Sequence, residues 1–196
     1  MRKWKKLLII AAALCMLTGC GDAVSENINM ISIQKDGKVE HTIVEQFDRN
    51  YYDADELSQM AEEKIGRYNG GDGSITCESV EAGEGKIVVK MIYQSEADYM
   101  EFNNRELFCG TVEQASAKGY SLQNLVSAEG EVLSSADLGA LSDNQVVIVQ
   151  TKKGEELDVR VYGTIVYASE DITLSGNKDA LITAGEDDRL SCIIFN

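Results

Sequence analysis

The side chains that could do chemistry are few, and the single histidine comes first among them. Any histidine-dependent triad or multi-histidine metal site would have to include His41, because the chain has no other imidazole. Imidazole titrates near neutral pH, which suits a general base. His41 also shares the parity of Val39 and Ile43 in a strand-like stretch, which is typical of a packing residue. No serine stands in a G-x-S-x-G context, so we expect the packing role and name no catalytic residue.

Carboxylates form the second group of candidates, and Asp187 and Asp188 stand out in a short acidic run. Together with Glu186 and Asp179 they offer the hard oxygen ligands that Ca²⁺ prefers. The spacing departs from that of an EF-hand loop, so an acidic turn between two strands is favoured. A carboxylate pair for hydrolysis is positioned by the fold and leaves no spacing signature. The sequence therefore predicts neither a metal site nor a cofactor.

Two further stretches carry a weak signal for binding. Residues 69–74 are rich in glycine, but they lack the lysine of a phosphate-binding loop and follow a predicted helix, so they indicate a turn. Tyr51 and Tyr52 precede that helix, where they would form either a small aromatic ledge for a ligand or a hydrophobic staple at the helix entry.

The cysteines of the globular part predict packing and not chemistry. Cys77, Cys109 and Cys192 are odd in number and have no C-x-x-C spacing. At most one disulfide can form among them. Because their neighbours are apolar or strand-like, we expect the three cysteines to act as small, buried, hydrophobic side chains.

Residues 1–19 have the layout of a secretory signal peptide. Four of the first six residues are basic and none is acidic, and residues 7–17 form an apolar run. This run is too short to span a hydrocarbon core, which needs about 20 apolar residues. The small pair Thr18-Gly19 then precedes Cys20.

Leu17-Thr18-Gly19-Cys20 resembles the lipobox of bacterial lipoproteins, and the resemblance covers residues 1–20. It implies that a diacylglyceryl group is attached to the sulfur of Cys20 and that a signal peptidase cuts between Gly19 and Cys20. The mature chain would then be exported by the general route and anchored at the outer, extracytoplasmic face of the cell membrane. The alternatives are an ordinary signal peptide that ends near a cysteine, or an uncleaved anchor.

The charge balance limits the possible partners. The chain has 18 Lys and Arg against 33 Asp and Glu. Cleavage would remove four of the basic residues, which leaves 14 − 33, or −19. Such a domain repels nucleic acid and anionic lipid head groups, so the membrane tether would be the lipid and not a basic patch. The acidity suits a cationic partner or simply maintains solubility.

The first half of the chain predicts hairpins and helices. Residues 28–47 indicate a hairpin that turns at Asp36-Gly37. A helix begins at Asp53 and places five residues on one stripe that we assign to the core. They are Leu57, Met60, Ala61, Ile65 and Tyr68. Ser95 caps a second helix whose apolar side includes Leu107, and Thr111 caps a short one.

After Gly119 only strands are predicted, so the fold class is α+β, with mostly antiparallel sheets, two main helices in the first half and a strand-rich second half. We divide the chain into a signal peptide (1–19), a lipidated tether (20–27), a helix-containing lobe (28–120) and a strand-rich lobe (121–196). The last two are either separate lobes or one continuous domain. The sequence favours a non-enzymatic binding module at the cell envelope, with a partner protein or a small ligand. A cofactor-independent hydrolase with a carboxylate pair is the alternative.

Overall fold

The structure is a computed structural model, and it describes residues 27–48, 53–71, 73–83 and 85–196. The proposed signal peptide, Gly19, Cys20, Tyr51 and Tyr52 lie outside the described residues. The elements of the first half are β1 (Asn29–Ile33), β2 (Val39–Gln46), α1 (Ala54–Asn69), β3 (Ile75–Gly83), β4 (Lys86–Tyr93), α2 (Glu96–Asn103), β5 (Leu107–Thr111) and α3 (Val112–Ala117). Those of the second half are β6 (Leu125–Val126), α4 (Ser135–Ala140), β7 (Gln145–Thr151), β8 (Glu156–Arg160), β9 (Ile165–Ser169), β10 (Ile172–Leu174), β11 (Asp179–Thr183) and β12 (Arg189–Phe195).

The strands form two sheets. The first sheet has the order β10-β11-β8-β1-β2-β4-β3, and the second has the order β5-β7-β12-β9-β6. Pairing among the described strands is antiparallel except between β1 and β8, which run parallel. Each sheet takes strands from both sides of residue 120. The predicted α+β class with mostly antiparallel sheets is confirmed.

Local sequence chemistry accounts for the element boundaries. Gly37 adopts the left-handed conformation in the β1–β2 hairpin, as its Asp-Gly turn predicts. The side chain of Asp53 accepts hydrogen bonds from two amides of the first turn of α1. Ser95 caps α2, and Thr111 with Gln114 forms a complete capping box at α3. These predicted helix starts are confirmed.

The second sheet is buried on both faces. One face packs in the main core, together with residues of the first sheet, Ile65 of α1 and Tyr99 of α2. The opposite face packs under α3 and the segment that follows it in a second cluster. Residues of β7 and β12 alternate between the two cores: Val147, Val149, Ile193 and Phe195 enter the first, and Val146, Ile148, Cys192 and Ile194 enter the second.

Two predictions about elements were wrong. Leu107 begins β5 and does not extend α2, because Asn104 adopts a left-handed conformation and ends that helix. A helix does occur after Gly119: α4 is capped by the side chain of Ser134, which accepts from the amide of Asp137. None of the helices that the structure describes is both long enough and apolar enough to cross a membrane.

Candidate functional site

An apolar groove of about 630 Å³ separates α1 from the strands β2, β4 and β3. Its floor comes from the strands, its opposite wall from the first three turns of α1, and one end from α2. Apolar side chains dominate the lining. They are Ile43, Phe47, Leu57, Met60, Ala61, Val80, Ile87, Val89, Met91 and Phe102.

Strand periodicity builds the floor. Alternate residues of a strand face the same side, so Ile87, Val89, Met91 and Tyr93 of β4 form one row of apolar side chains. The register pairs Val89 with Ile43 of β2 and with Val80 of β3. An apolar surface three strands wide therefore lies beneath α1.

The groove exists because only the second half of α1 packs closely on the sheet. Ile65 is 8 % exposed, and Asn69 exchanges two hydrogen bonds with the backbone of Ile75, at 2.8 and 2.9 Å. In the first half, Met60 is 61 % exposed and Leu57 is only half-buried. The prediction that the whole stripe belongs to the core was therefore wrong for Leu57, Met60 and Ala61, which line the groove.

We call the end of the groove near α2 the aromatic end. Phe102 lies there against Tyr68, with ring centroids 5.7 Å apart and the planes almost perpendicular. The ammonium group of Lys64 lies 4.1 Å from the centroid of the Phe102 ring, a cation–π contact. The hydroxyl of Tyr68 donates to Glu101 at 3.1 Å, which fixes the last turn of α1 against α2.

We call the opposite end the acidic end. Glu45, Asp53 and Glu56 line it, and all three residues are exposed. Asp53 is occupied with capping α1, at 2.9 Å from the amide nitrogen of Asp55. The carboxylates of Glu45 and Glu56 have no ion-pair or hydrogen-bond partner among the described residues.

His41 is a packing residue in this structure. It lies on the inward face of β2, with its ring centroid 5.4 Å from that of Tyr99 and 6.5 Å from that of Tyr93. Its Nδ1 atom is buried and has no hydrogen-bond partner among the described residues. Burial, with a smaller contribution from the positive charge of Arg105, lowers the pKa of His41 to about 4. The ring is therefore neutral near pH 7 and a weak base.

Asp187 and Asp188 lie in the turn between β11 and β12, beside a polar cleft of about 350 Å³. Asp188 accepts hydrogen bonds from the amide of Lys153 at 2.9 Å and from the ammonium of Lys152 at 3.0 Å. These bonds lower the pKa of Asp188 and hold it ionised. Asp179 belongs to β11 and pairs with Arg160, so it does not join the turn. Within the described ranges, no three His, Cys, Asp or Glu residues are grouped as a metal site would require.

The three cysteines of the described chain are free thiols. Cys192 is buried, and burial raises its pKa to about 12. Cys77 and Cys109 are half-buried, and burial again raises both pKa values. All three thiols are therefore protonated and poor nucleophiles near neutral pH. The expectation of full burial is met by Cys192 only.

Sequence reasoning missed the groove, although the residues that form it were recognised as apolar. Helical spacing identified the α1 stripe, but spacing cannot say how closely a helix approaches a sheet. The exposed methionine at position 60 is a usable signal in retrospect, since flexible Met side chains are frequent at binding surfaces. Comparison with known proteins adds no name to the site: no family model, no curated protein and no solved structure matches this chain.

Proposed function

We propose that the protein is a lipid-anchored extracytoplasmic lipoprotein of a bacterium and acts as a non-enzymatic binding module. Its ligand is a small hydrophobic molecule that binds in the groove between α1 and the first sheet. The groove itself is the observation that carries the proposal. Its volume of about 630 Å³ falls within the range of roughly 300–1,000 Å³ that is typical of small-molecule sites.

The composition of the groove supports binding in preference to chemistry. Its floor and the wall formed by α1 are aliphatic, which favours an apolar ligand through the hydrophobic effect. The hydrolase alternative needs two carboxyl groups that face each other across a pocket, one of them protonated. Asp53 is engaged in capping, and Asp188 is held ionised by two lysines. Neither arrangement suits a general acid. The other two carboxylates of the groove, Glu45 and Glu56, are exposed at its mouth, whereas a general acid is usually enclosed in an apolar pocket.

The start of the described chain supports a position close to the membrane. The amide oxygen of Asn27 accepts a hydrogen bond from Lys86, which is next to Ile87 in the floor of the groove. Seven peptide units separate Asn27 from Cys20, and even a fully extended chain of that length spans only about 25 Å. A lipid on Cys20 would therefore keep the groove within reach of molecules dissolved in the membrane surface.

The binding proposal is tested by photolabelling the full-length protein in phosphatidylcholine nanodiscs. The probe is a decyl maltoside with an aryl trifluoromethyl diazirine at the tail, and labelled peptides are mapped by mass spectrometry. We expect saturable labelling of peptides from β4 and α2. The Ala61→Trp variant fills the groove from α1 and should abolish that labelling.

Ala136→Trp is the matched control, because Ala136 is exposed on α4, away from the groove. It should label as the unsubstituted protein does. Circular dichroism establishes that both variants are folded. Labelling that is unsaturable, or that Ala61→Trp leaves intact, would refute the proposed site.

The anchor is tested separately through Cys20. The Cys20→Ala variant should accumulate as an unprocessed precursor that incorporates no labelled fatty acid, because the acyl acceptor is missing. The matched Cys15→Ala variant, whose substitution lies within the apolar run, should be processed and acylated normally. Acylation of the Cys20→Ala variant would contradict the lipoprotein assignment.

A further inference from the structure

We infer that the ligand of the groove is a cationic amphiphile. Its aliphatic chain lies along the floor with its tip toward Phe102, and its positively charged head group lies at the acidic end. This inference rests on the proposed function and adds the chemical class of the ligand and its direction in the site.

Charge at the acidic end identifies the head group. Glu45 and Glu56 face the mouth of the groove from opposite walls, one on β2 and one on α1, with their carboxylates unpaired among the described residues. Asp53 adds a third negative charge between them in sequence. The nearest lysine in the strand register is Lys86, which has the alternate parity of β4 and donates to Asn27. An anionic head group would meet repulsion here, whereas an ammonium head group meets complementary charge.

Charge at the aromatic end fixes the direction. The single cation that lines the groove, within the described chain, is Lys64, and it already occupies the face of Phe102. A positive head group placed there would meet the like charge of Lys64, and the nearby carboxylate of Glu101 accepts a hydrogen bond from the hydroxyl of Tyr68 and does not line the groove. The separation between Glu56 and Lys64 is eight residues of α1, about 12 Å along the helix. Between these two positions the groove presents Leu57, Met60 and Ala61, a surface suited to methylene groups.

The test compares three head groups on one chain. Decyl probes carrying trimethylammonium, maltoside or carboxylate heads, each with the aryl diazirine at the tail, are titrated below their micelle-forming concentrations in the nanodisc system. We expect the trimethylammonium probe to reach half-saturation at a concentration roughly fivefold lower than the maltoside probe does. The carboxylate probe should need the highest concentration. Adducts should map to β4 and α2, at the aromatic end. The preference should shrink as salt is raised.

A pair of double variants separates the acidic end from the general acidity of the protein. Glu45→Gln with Glu56→Gln should remove the preference for trimethylammonium and leave labelling by the maltoside unchanged. Glu129→Gln with Glu131→Gln removes the same number of charges from an exposed turn and should keep the preference. A preference that survives the first pair would show that overall charge, not the groove, selects the probe.

The remaining outcomes are distinct. Equal half-saturation for trimethylammonium and maltoside would overturn this inference and leave the proposed function standing. Tightest binding of the carboxylate probe would place an anionic head at Lys64 and overturn it as well. Adducts at the start of α1 would show that the ligand lies in the opposite direction in the groove, and would overturn the inferred orientation. Absence of saturable labelling with every head group would overturn the proposed function together with the inference.

Discussion

The apolar face of the first sheet has two parts that differ in what packs on them. Along β2 and β4, Val39 and Tyr93 are fully buried, while Ile43 and Val89, a few residues away on the same face, are half-buried. All four side chains are apolar or aromatic and follow the same alternation. The difference lies in what packs on them: α2 and the main core cover the first pair, and the groove beneath α1 lies over the second. Ile87, the next residue of the β4 row, is again buried, so the open part of the face is local. An apolar pattern therefore identifies a face but not whether the fold fills it.

The largest expected effect comes from truncation in the covered half. Tyr93 contacts the rings of His41, Tyr99 and Phe102, so Tyr93→Ala should lower the free energy of unfolding by about 3–5 kcal/mol. Val89→Ala in the groove floor should cost about 1 kcal/mol or less, since it enlarges a space that is already open. Urea unfolding of both variants measures the contrast. Equal costs would mean that the two halves are packed alike.

The same contrast is expected along α1. Ile65→Ala should cost about 2–4 kcal/mol because the side chain is buried against the main core. Met60→Ala should change the free energy of unfolding by no more than about 0.5 kcal/mol, as is usual for exposed sites. Denaturant midpoints at equal slope provide the measurement. A large cost at Met60 would show that this turn of α1 is packed and that the groove is closed in solution.

Acidic pH should lower the free energy of unfolding through His41, which lies in the covered half. The unfolded imidazole has a pKa near 6.5, and burial lowers the folded value to about 4. Between these values the unfolded chain binds more protons than the folded chain, so stability falls as the pH falls from 6.5 toward 4. With allowance for the exposed part of the ring, we expect a loss of about 2 kcal/mol by pH 4.5.

The His41→Gln variant is the control, because glutamine does not titrate in this range. Its free energy of unfolding should fall less steeply between pH 6.5 and 4.5 than that of the unsubstituted protein, with the difference equal to the His41 contribution. Parallel pH profiles would show that the imidazole is as accessible to protons in the folded state as in the unfolded one. Near pH 7 the substitution should leave the cellular function intact, since no catalytic role is expected.

Sequence reasoning succeeded wherever a local interaction decides the structure. The Asp36-Gly37 turn and the caps at Asp53, Ser95 and Thr111 each depend on residues a few positions apart. It failed where the decision is made at a distance or by a weak signal. Asn104, and not a glycine, ends α2, so the sequence pattern assigned Leu107 to this helix instead of to β5. Helix α4 gives a weak signal because it is six residues long and contains Gly139.

The groove is the clearest case of a decision made at a distance. The α1 stripe was recognised at the correct spacing, yet its exposure depends on where Asn69 and Tyr68 hold the end of the helix. Those contacts join α1 to β3 and α2, and no pattern within α1 encodes them. The acidic end likewise combines Glu45 of β2 with Glu56 of α1, which only the fold brings to one mouth.

A small effect is expected from the contact between Lys64 and Phe102 at the aromatic end. Lys64→Gln removes the ammonium group from the face of Phe102 and should cost about 0.5–1 kcal/mol, the usual value for an exposed cation–π pair. Lys118→Gln is the matched control, because Lys118 lies 4.7 Å from the ring centroid of Phe108 in the closed second core. The two substitutions should have similar costs in urea unfolding, since both ammonium groups are exposed.

The two substitutions should differ in hydrogen exchange. Lys64→Gln should speed the exchange of amides in the last turns of α1, because the contact with α2 holds these turns in place. Lys118→Gln should leave exchange in α1 unchanged. Unaltered exchange in α1 after Lys64→Gln would assign the position of the helix to Ile65 and Asn69 alone.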